Sequence, residues 1–254
     1  MKYVDTQIIS YVYKGNTELY NQKIAGEMIS SIIACEFLNV FVKNDLKNAS
    51  YYPFYSDAFA MNVDRTGKIF HSKKHCKQGK RRTDKVLINF NNTYESFIIY
   101  GNESLAKLLN CKCKKGIMAT TEHLSKQKRK DISDKIDFLI DNNLKVVPLN
   151  DHIVMNMLEI MSSIDGHYNF KKNFRNSIMD LLIASTALTD GSTLCTKDYE
   201  LNKVICKNYN LPYTVFNGIL SINNYEKLES THLVREESKN YINRGWRYKI
   251  NKGI

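Results

Sequence analysis

Short apolar segments alternate with longer helical segments at both ends of the chain, and this alternation restricts the possible folds more than any other feature. Strands are predicted at residues 2–4, 27–30, 144–149, 192–196 and 211–216. Helices are predicted at residues 7–13, 31–42, 132–143, 152–164, 178–189 and 199–207. Strands that alternate with helices favour a parallel sheet covered on both faces. We therefore predict an α/β protein, with three α/β/α layers around a central parallel sheet.

The alternation is interrupted between residues 45 and 129, where the chain is rich in Tyr, Lys and Asn. Within this stretch, residues 86–100 predict a β-hairpin that turns at Asn91 and Asn92. The interruption therefore indicates an inserted, basic subdomain rather than a continuation of the sheet.

Three regions are predicted along the chain from this interruption and from the polar composition of the C-terminal tail. They are a core formed by residues 1–44 and 130–217, a basic insertion of residues 45–129, and a C-terminal extension of residues 218–254. The extension contains the single Trp of the chain.

The net charge of +11 is concentrated in one region. Residues 65–130 contain 17 Lys or Arg and 4 Asp or Glu, whereas the other residues contain 20 basic and 22 acidic side chains. A basic region of this kind indicates a polyanionic partner, most often nucleic acid. A solvated lysine-rich surface is the alternative interpretation. The candidates for contact with nucleic acid lie in the two densest basic runs: Lys80, Arg81, Arg82, Lys128, Arg129 and Lys130.

Other features of the sequence exclude several classes of protein. No run of about 18 apolar residues is present, so we expect no membrane span. The N-terminus carries Asp5 where a signal peptide would be apolar, and six irregularly spaced cysteines indicate reduced thiols in the cytoplasm. The glycine-rich phosphate loop, the dinucleotide-binding motif and the serine-hydrolase motif are all absent, which argues against those activities.

A zinc site is a further candidate within the basic region. Cys76, Cys111 and Cys113 lie there together with His71 and His75, and such residues at short spacing can hold a structural zinc ion. The usual zinc-finger spacings are absent, so the alternative is that these are ordinary residues of a basic loop.

Four carboxylates occupy positions where the predicted fold collects functional groups. Asp5 follows the first strand and Asp198 lies two residues past the predicted strand at 192–196. Glu36 is on the helix after the second strand, and Asp180 is expected in the first turn of the helix at 178–189. The carboxyl ends of parallel strands lie at one edge of a sheet, so these acids can meet there.

Each acid also has a local explanation. Asp5 and Asp198 can cap the helices that follow them. Ser177 and Asp180 resemble a capping box, and Glu36 can lie on the solvated side of its helix. Two like charges about 5 Å apart repel by roughly 3 kcal/mol at an effective dielectric constant of about 20. Four clustered acids must therefore be partly protonated, be paired with Lys or Arg, or hold a cation, and oxygen ligands suit Mg²⁺ or Mn²⁺.

The sequence resembles a known family at four segments, which occur in the family's order. YVDTQIIS, SSIIACEFL, MDLLIASTAL and TLCTKDYEL are similar to segments of the PIN-domain nucleases, in particular the VapC-type ribonuclease toxins. The resemblance covers residues 1–44 and 130–217. It implies a PIN-like fold in which Asp5, Glu36, Asp180 and Asp198 are the catalytic, metal-binding acids.

The resemblance also implies roles for neighbouring residues. Glu200 falls where many members of the family carry a further acid. Thr6 and Thr196 match hydroxyl residues beside the metal ions, and Asn176 is placed to contact a phosphate. Turn or cap roles are the alternative for both threonines, and helix N-capping is the alternative for Asn176.

The activity implied by the resemblance is a nuclease that depends on Mg²⁺ or Mn²⁺ and hydrolyses phosphodiester bonds by in-line attack of metal-activated water. RNA is favoured over DNA as the substrate. The large insertion is absent from the compact toxins, so toxin–antitoxin, processing and defence roles are all open. A protein inhibitor or regulatory partner and a homodimer are open as well. The alternatives are a DNA-directed nuclease of the same fold and a catalytically inactive PIN-like protein that binds nucleic acid or assembles with partners.

Overall fold

The computed structural model describes residues 2–15, 24–38, 84–121, 124–164, 174–198, 214–216, 219–222 and 246–251. The strands are β1 (Lys2–Val4), β2 (Met28–Ser30), β3 (Lys85–Asn89), β4 (Phe97–Tyr100), β5 (Lys145–Val147), β6 (Thr193–Thr196), β7 (Thr214–Phe216), β8 (Ile219–Ile222) and β9 (Arg247–Asn251). The helices are α1 (Thr6–Tyr13), α2 (Ser31–Phe37), α3 (Asn102–Asn110), α4 (Lys114–Ala119), α5 (Lys126–Asp141), α6 (Asp151–Ile164) and α7 (Phe174–Thr189).

The main sheet has six strands in the order β5-β2-β1-β6-β8-β7. Its first four strands are parallel and are flanked by helices, which confirms the predicted α/β fold with a central parallel sheet. Strand β8 pairs antiparallel with β6, and β7 pairs antiparallel with β8. The register aligns Val4 with Cys195, so β1 and β6 end side by side.

The core lies between the sheet and its helices and consists mainly of Ile and Leu. All three residues of β2 and six of the seven residues of α2 are buried, as expected for a strand covered on both faces. The hydroxyl of Tyr3 in β1 donates a hydrogen bond to Asp190 in the turn after α7. Gly191 in that turn has a φ of 57°, a left-handed conformation that favours glycine.

A second sheet has three antiparallel strands in the order β4-β3-β9, and we call it the accessory sheet. The predicted hairpin is confirmed, because β3 and β4 pair across a turn in which Asn91 and Asn92 have φ values of 49° and 64°. Strand β9 comes from the C-terminal tail and pairs with β3 along its whole length. The tail thus supplies β8 to the main sheet and β9 to the accessory sheet.

Helix α3 packs against the core, although it lies in the segment predicted as an insertion. Asn102 is 1% exposed, and its side-chain oxygen accepts hydrogen bonds from the Ser31 hydroxyl and from the Leu149 amide, both at 2.7 Å. Its side-chain nitrogen donates to the Leu149 carbonyl at 2.9 Å. At the other end of α3, Asn110 makes two hydrogen bonds of 2.8 Å to the backbone of Val146 and so covers the edge strand β5.

Helices α5 and α7 begin several residues earlier than predicted, and the start of α7 changes the position of Asp180. Helix α7 begins at Phe174, so Asp180 lies in its second turn and the predicted position in the first turn is wrong. The capping box of Ser177 with Asp180 and the N-cap role of Asn176 are wrong for the same reason, because all three residues lie inside the helix. Helix α5 begins at Lys126 and includes the second basic run.

The helix predicted at residues 199–207 lies outside the described residues. In the part of the chain that is described, no helix combines the length and the apolar character needed to cross a membrane.

Candidate functional site

The order of the main sheet creates a switch point beside β1. The chain moves from β1 to β2 and then to β5 on one side, and it returns to β6 on the other side of β1. Ligands of open α/β sheets bind at such a point, outside the carboxyl ends of the strands. Asp5 and Asp198 follow β1 and β6 at this position.

Asp5 is held in place by two hydrogen bonds, one to each carboxylate oxygen. It is 7% exposed and forms the N-cap of α1, where its Oδ1 accepts from the Thr6 backbone amide at 2.6 Å. Its Oδ2 accepts from the Thr196 hydroxyl at 2.6 Å. Burial raises the pKa of Asp5, the bonds from Thr196 and Thr6 lower it, and the charge of Asp198 raises it further. The Asp5 side chain therefore caps α1 and also lies at the carboxyl end of β1, where the site is expected.

The two threonines also connect Asp5 to two other acids. The Thr6 hydroxyl donates to Glu36 Oε2 at 2.5 Å, and the Asp198 amide donates to Thr196 Oγ1 at 3.0 Å. Thr6 thus links Asp5 to Glu36 on α2, and Thr196 links Asp5 to the segment after β6. Since a carboxylate oxygen has two acceptor positions, each oxygen of Asp5 keeps one for another partner.

Asp180 is a strongly perturbed carboxyl group of the site. It lies on α7 between the buried residues Met179 and Leu181. Burial and the negative charges of Asp198, Asp5 and Glu36 raise the pKa of Asp180 to about 8. The four acids are therefore close enough for three of them to disfavour the charge of the fourth.

All four acids line one cavity of about 820 Å³. Thr6 and Asn176 line it too, whereas Thr196 is fully buried behind Asp5. The structure thus brings together the predicted acids, which come from four separate elements.

Basic residues that the sequence analysis missed also line this cavity, namely Lys14, Lys135 and Arg175. Arg175 was missed because α7 was predicted to begin at residue 178, which placed Arg175 before the helix. The sequence did carry one signal for Arg175, because it lies directly before Asn176 and five residues before Asp180, which were both site candidates.

The donor set fits a hard divalent cation. Four carboxylates offer only oxygen ligands, and their mutual repulsion is the kind of interaction that a cation relieves. In the described part of the chain, no three His, Cys, Asp or Glu side chains are grouped so that they could hold a metal ion as they stand. The acids therefore share a cavity without forming a preassembled ligand group.

Two predicted zinc ligands, Cys111 and Cys113, do not line this cavity. Glu200 and Cys76 lie outside the described residues. Cys111 directly follows α3, Cys113 directly precedes α4, and both are free thiols. The zinc hypothesis stays a prediction.

The predicted nucleic-acid contacts differ in their positions. Lys80, Arg81 and Arg82 lie outside the described residues. Lys128 is exposed on α5, and at helical spacing it shares a face with Asp131 and Lys135, which line the cavity.

The two residues after Lys128 lie on other faces of α5. Arg129 shares the buried face of Ile132 and Ile136, and its Nε is buried with no hydrogen-bond partner among the described residues. Lys130 is exposed on the side opposite Lys128. Of the three, Lys128 is the one placed toward the cavity.

The fold and the cavity define an α/β protein with a carboxylate-lined site at its topological switch point. Residues 103–205 match the family model of the PIN domain. This part of the chain is therefore similar to the PIN domain, a family whose members are generally nucleases that act on nucleic acids and typically use divalent metals. No curated protein and no solved structure matches the chain in the corresponding comparisons.

The matched range relates in two ways to the sequence predictions. It contains Asp180 and Asp198, whereas Asp5 and Glu36 precede it. It begins one residue after Asn102, inside the segment predicted as an insertion.

Proposed function

We propose that this protein is a divalent-metal-dependent nuclease that hydrolyses phosphodiester bonds, with RNA as its preferred substrate. One observation carries the proposal: carboxylates from four separate elements line a single cavity at the switch point of the sheet. The match to the PIN domain supports it. Grouping acids in this way works against folding stability, so it is expected where a cation has to be bound.

Asp5, Glu36, Asp180 and Asp198 would hold Mg²⁺ or Mn²⁺. When bound, such an ion supplies positive charge that stabilises the phosphate in the transition state and activates the attacking water. The chain itself holds the carboxylate ligands in position. Thr6 and Thr196 do so for Asp5 and Glu36 through the hydrogen bonds described above. Ligating carboxylates are commonly held by such outer hydrogen bonds.

The reaction we propose is in-line attack of a water oxygen on phosphorus. The bond between phosphorus and the 3′ oxygen breaks, so the products are a 5′-phosphate and a 3′-hydroxyl. Glu36 and Asp180 line the cavity beside Asp5 and Asp198 and would orient the water.

We also propose that the domain core is larger than the sequence boundaries suggest. The hydrogen bonds of Asn102 and Asn110, and a family match that starts at residue 103, support a core that includes α3 and α4. The pairing of β8 with β6 supports the inclusion of residues 219–222.

The decisive experiment is cleavage of matched linear and circular oligonucleotides of RNA and DNA. We expect cleavage of circular RNA with Mg²⁺ or Mn²⁺ and none with EDTA. Asp5→Asn and Asp180→Asn should each reduce the rate by at least about 100-fold, the scale on which the loss of one catalytic electrostatic contact is felt. Asp141→Asn, which alters an exposed acid at the end of α5, is the matched control.

Two results would contradict the proposal. If both acid variants cut like the unmodified protein, the site assignment is wrong. If the protein binds nucleic acid but cleaves nothing with either ion, the inactive binding protein is the correct alternative. Preferential cleavage of DNA would overturn the RNA preference alone.

A further inference from the structure

Arg175 is a charged residue of the cavity that cannot itself be a metal ligand, because a guanidinium has no acceptor. It is half-buried on α7 and lines the same cavity as the four carboxylates. Burial lowers the pKa of Arg175 and the charge of Glu36 raises it, and a guanidinium remains protonated through shifts of this kind. The cavity wall therefore carries a permanent positive charge beside a set of anionic ligands.

The position of Arg175 is fixed from outside the main sheet. Its guanidinium carbon lies 5.9 Å from the centre of the Phe97 ring, which belongs to strand β4 of the accessory sheet. Phe97 is 6% exposed, so its ring is held by packing. A cation over an aromatic face at this distance is attracted to it, which restrains the arginine side chain.

The residue before Arg175 is anchored by the same accessory sheet. Phe174 stacks on Tyr94 with ring centres 5.0 Å apart and an interplanar angle of 11°, and it meets the edge of Phe90 at 5.3 Å. Trp246, directly before β9, packs on Phe90 at 5.4 Å. Aromatic pairs in such arrangements are favourable beyond the burial of their rings. Phe90, Tyr94, Phe174 and Trp246 form an aromatic cluster that attaches the start of α7 to the accessory sheet.

We propose that Arg175 binds the non-bridging oxygens of a substrate phosphate in the acid-lined cavity, and that the accessory sheet acts through Phe97 and the aromatic cluster to position it. The proposal rests on the proposed nuclease function. A phosphodiester that is hydrolysed beside the four acids must lie in this cavity, so its negative charge meets the cation on the wall. Arginine suits this task because its planar fork donates two parallel hydrogen bonds to a phosphate.

The first test measures binding of a short fluorescent single-stranded RNA by anisotropy over a series of KCl concentrations, with Ca²⁺ as the divalent ion. We expect Arg175→Ala to weaken binding about 10-fold and to reduce the slope of log affinity against log salt by about 0.7, the loss of one phosphate contact with a single strand. Arg175→Lys should restore the slope and only part of the affinity, because lysine keeps the charge without the fork. An unchanged slope in Arg175→Ala would overturn the proposal.

The second test is a double-mutant cycle between Arg175 and Phe97. Phe97→Leu should weaken RNA binding about 3-fold in the unmodified protein and have no further effect in Arg175→Ala, since coupled residues are not additive. Ile98 is the matched control, because it neighbours Phe97 on β4 and is 37% exposed; Ile98→Ala should change neither background. Equal effects of Phe97→Leu in both backgrounds would mean that Phe97 is structural only.

The outcome for Arg175 is separable from the outcome for the nuclease. If Arg175→Ala reduces the salt slope of RNA binding but the unmodified protein cleaves nothing, the phosphate site is supported and the proposed activity is contradicted. Cleavage that depends on Asp5 but not on Arg175, with an unchanged KM for RNA, would support the nuclease and contradict this inference.

Discussion

The hydroxyl of Thr196 donates a hydrogen bond of 2.6 Å to Asp5, although 191 residues separate the two along the chain. Parallel pairing of β1 with β6 brings them together, because Val4 and Cys195 are direct neighbours in the sheet. The bond fixes Asp5 Oδ2, while the Thr6 amide fixes Oδ1. The orientation of Asp5, the most buried of the four acids of the site, thus depends on the register of two strands from opposite ends of the chain.

Thr196→Val should weaken metal binding because it removes the hydroxyl that holds Asp5 while it keeps the shape of the side chain. Loss of an outer hydrogen bond of this kind typically costs about 10- to 100-fold in metal affinity or activity. Titration calorimetry with Mn²⁺ measures the affinity. Thr193→Val changes the same residue type on the same strand and should leave the affinity unchanged; equal losses in the two variants would contradict the role of Thr196.

We expect the cleavage activity to depend on the hydroxyl of Thr6 rather than on the shape of its side chain. Its Oγ1 donates to Glu36 at 2.5 Å, so Thr6→Val should reduce activity about 10-fold or more, whereas Thr6→Ser keeps a donor and should retain most of it. The measurement is the initial cleavage rate against Mn²⁺ concentration. If serine and valine behave alike, the hydroxyl does not hold Glu36 in the active protein.

The parallel sheet and the acids could be predicted because both depend on local patterns. Apolar segments of strand length alternate with helical ones, Asp5 directly follows the end of a strand, and Asp198 lies two residues past the end of another. The site could be assembled in outline because the carboxyl ends of parallel strands lie at one edge. The residues that hold the acids are equally near in sequence, since Thr6 adjoins Asp5 and Thr196 is two residues from Asp198.

The features that could not be predicted depend on contacts between distant segments. The pairing of β9 with β3 joins the C-terminal tail to the central segment, and neither strand carries a signal for its partner. Asn102 gave no sign in the sequence that it would be buried between α2 and the loop after β5. The start of α7 was missed because its first turn, Phe174–Ser177, is polar apart from Phe174, which packs on the accessory sheet rather than on the core of the main sheet.

Metal-free protein should lose stability as the pH rises, because Asp180 is protonated in the folded state. Its pKa is about 8 when folded and near the model-peptide value of 3.8 when unfolded. Between these values the folded protein binds a proton that the unfolded protein has released, so the free energy of unfolding falls with rising pH. The slope for one proton is at most about 1.4 kcal/mol per pH unit, and the raised pKa of Asp5 adds to it in the same direction.

Urea unfolding in EDTA at several pH values between about 4 and 8 measures this slope. Asp180→Asn should make it shallower, and Mn²⁺ should reduce it, because a bound cation favours the charged carboxylates. Asp141→Asn should keep the full slope. A free energy of unfolding that rises over this range in EDTA would show that the acids are not mutually destabilising.

Asn102→Ala should destabilise the protein strongly and so test whether α3 belongs to the core. The change leaves the Ser31 hydroxyl and both backbone groups of Leu149 without their buried partner, and we expect a loss of about 3 kcal/mol. Asn110→Ala is the comparison, because Asn110 is exposed and water can replace its bonds to Val146; about 1 kcal/mol is expected there. Urea unfolding gives both values, and a smaller loss for Asn102 than for Asn110 would place α3 outside the core.

Lys128 and Lys130 should differ in their contribution to nucleic-acid binding, although they are two residues apart and both exposed. Lys128 lies on the face of α5 that carries Asp131 and Lys135 toward the cavity, while Lys130 lies on the opposite side. Lys128→Ala should therefore reduce the salt slope of RNA binding by about 0.7, whereas Lys130→Ala should leave it unchanged. Equal slopes in the two variants would contradict this difference and show that the basic run acts only through its total charge.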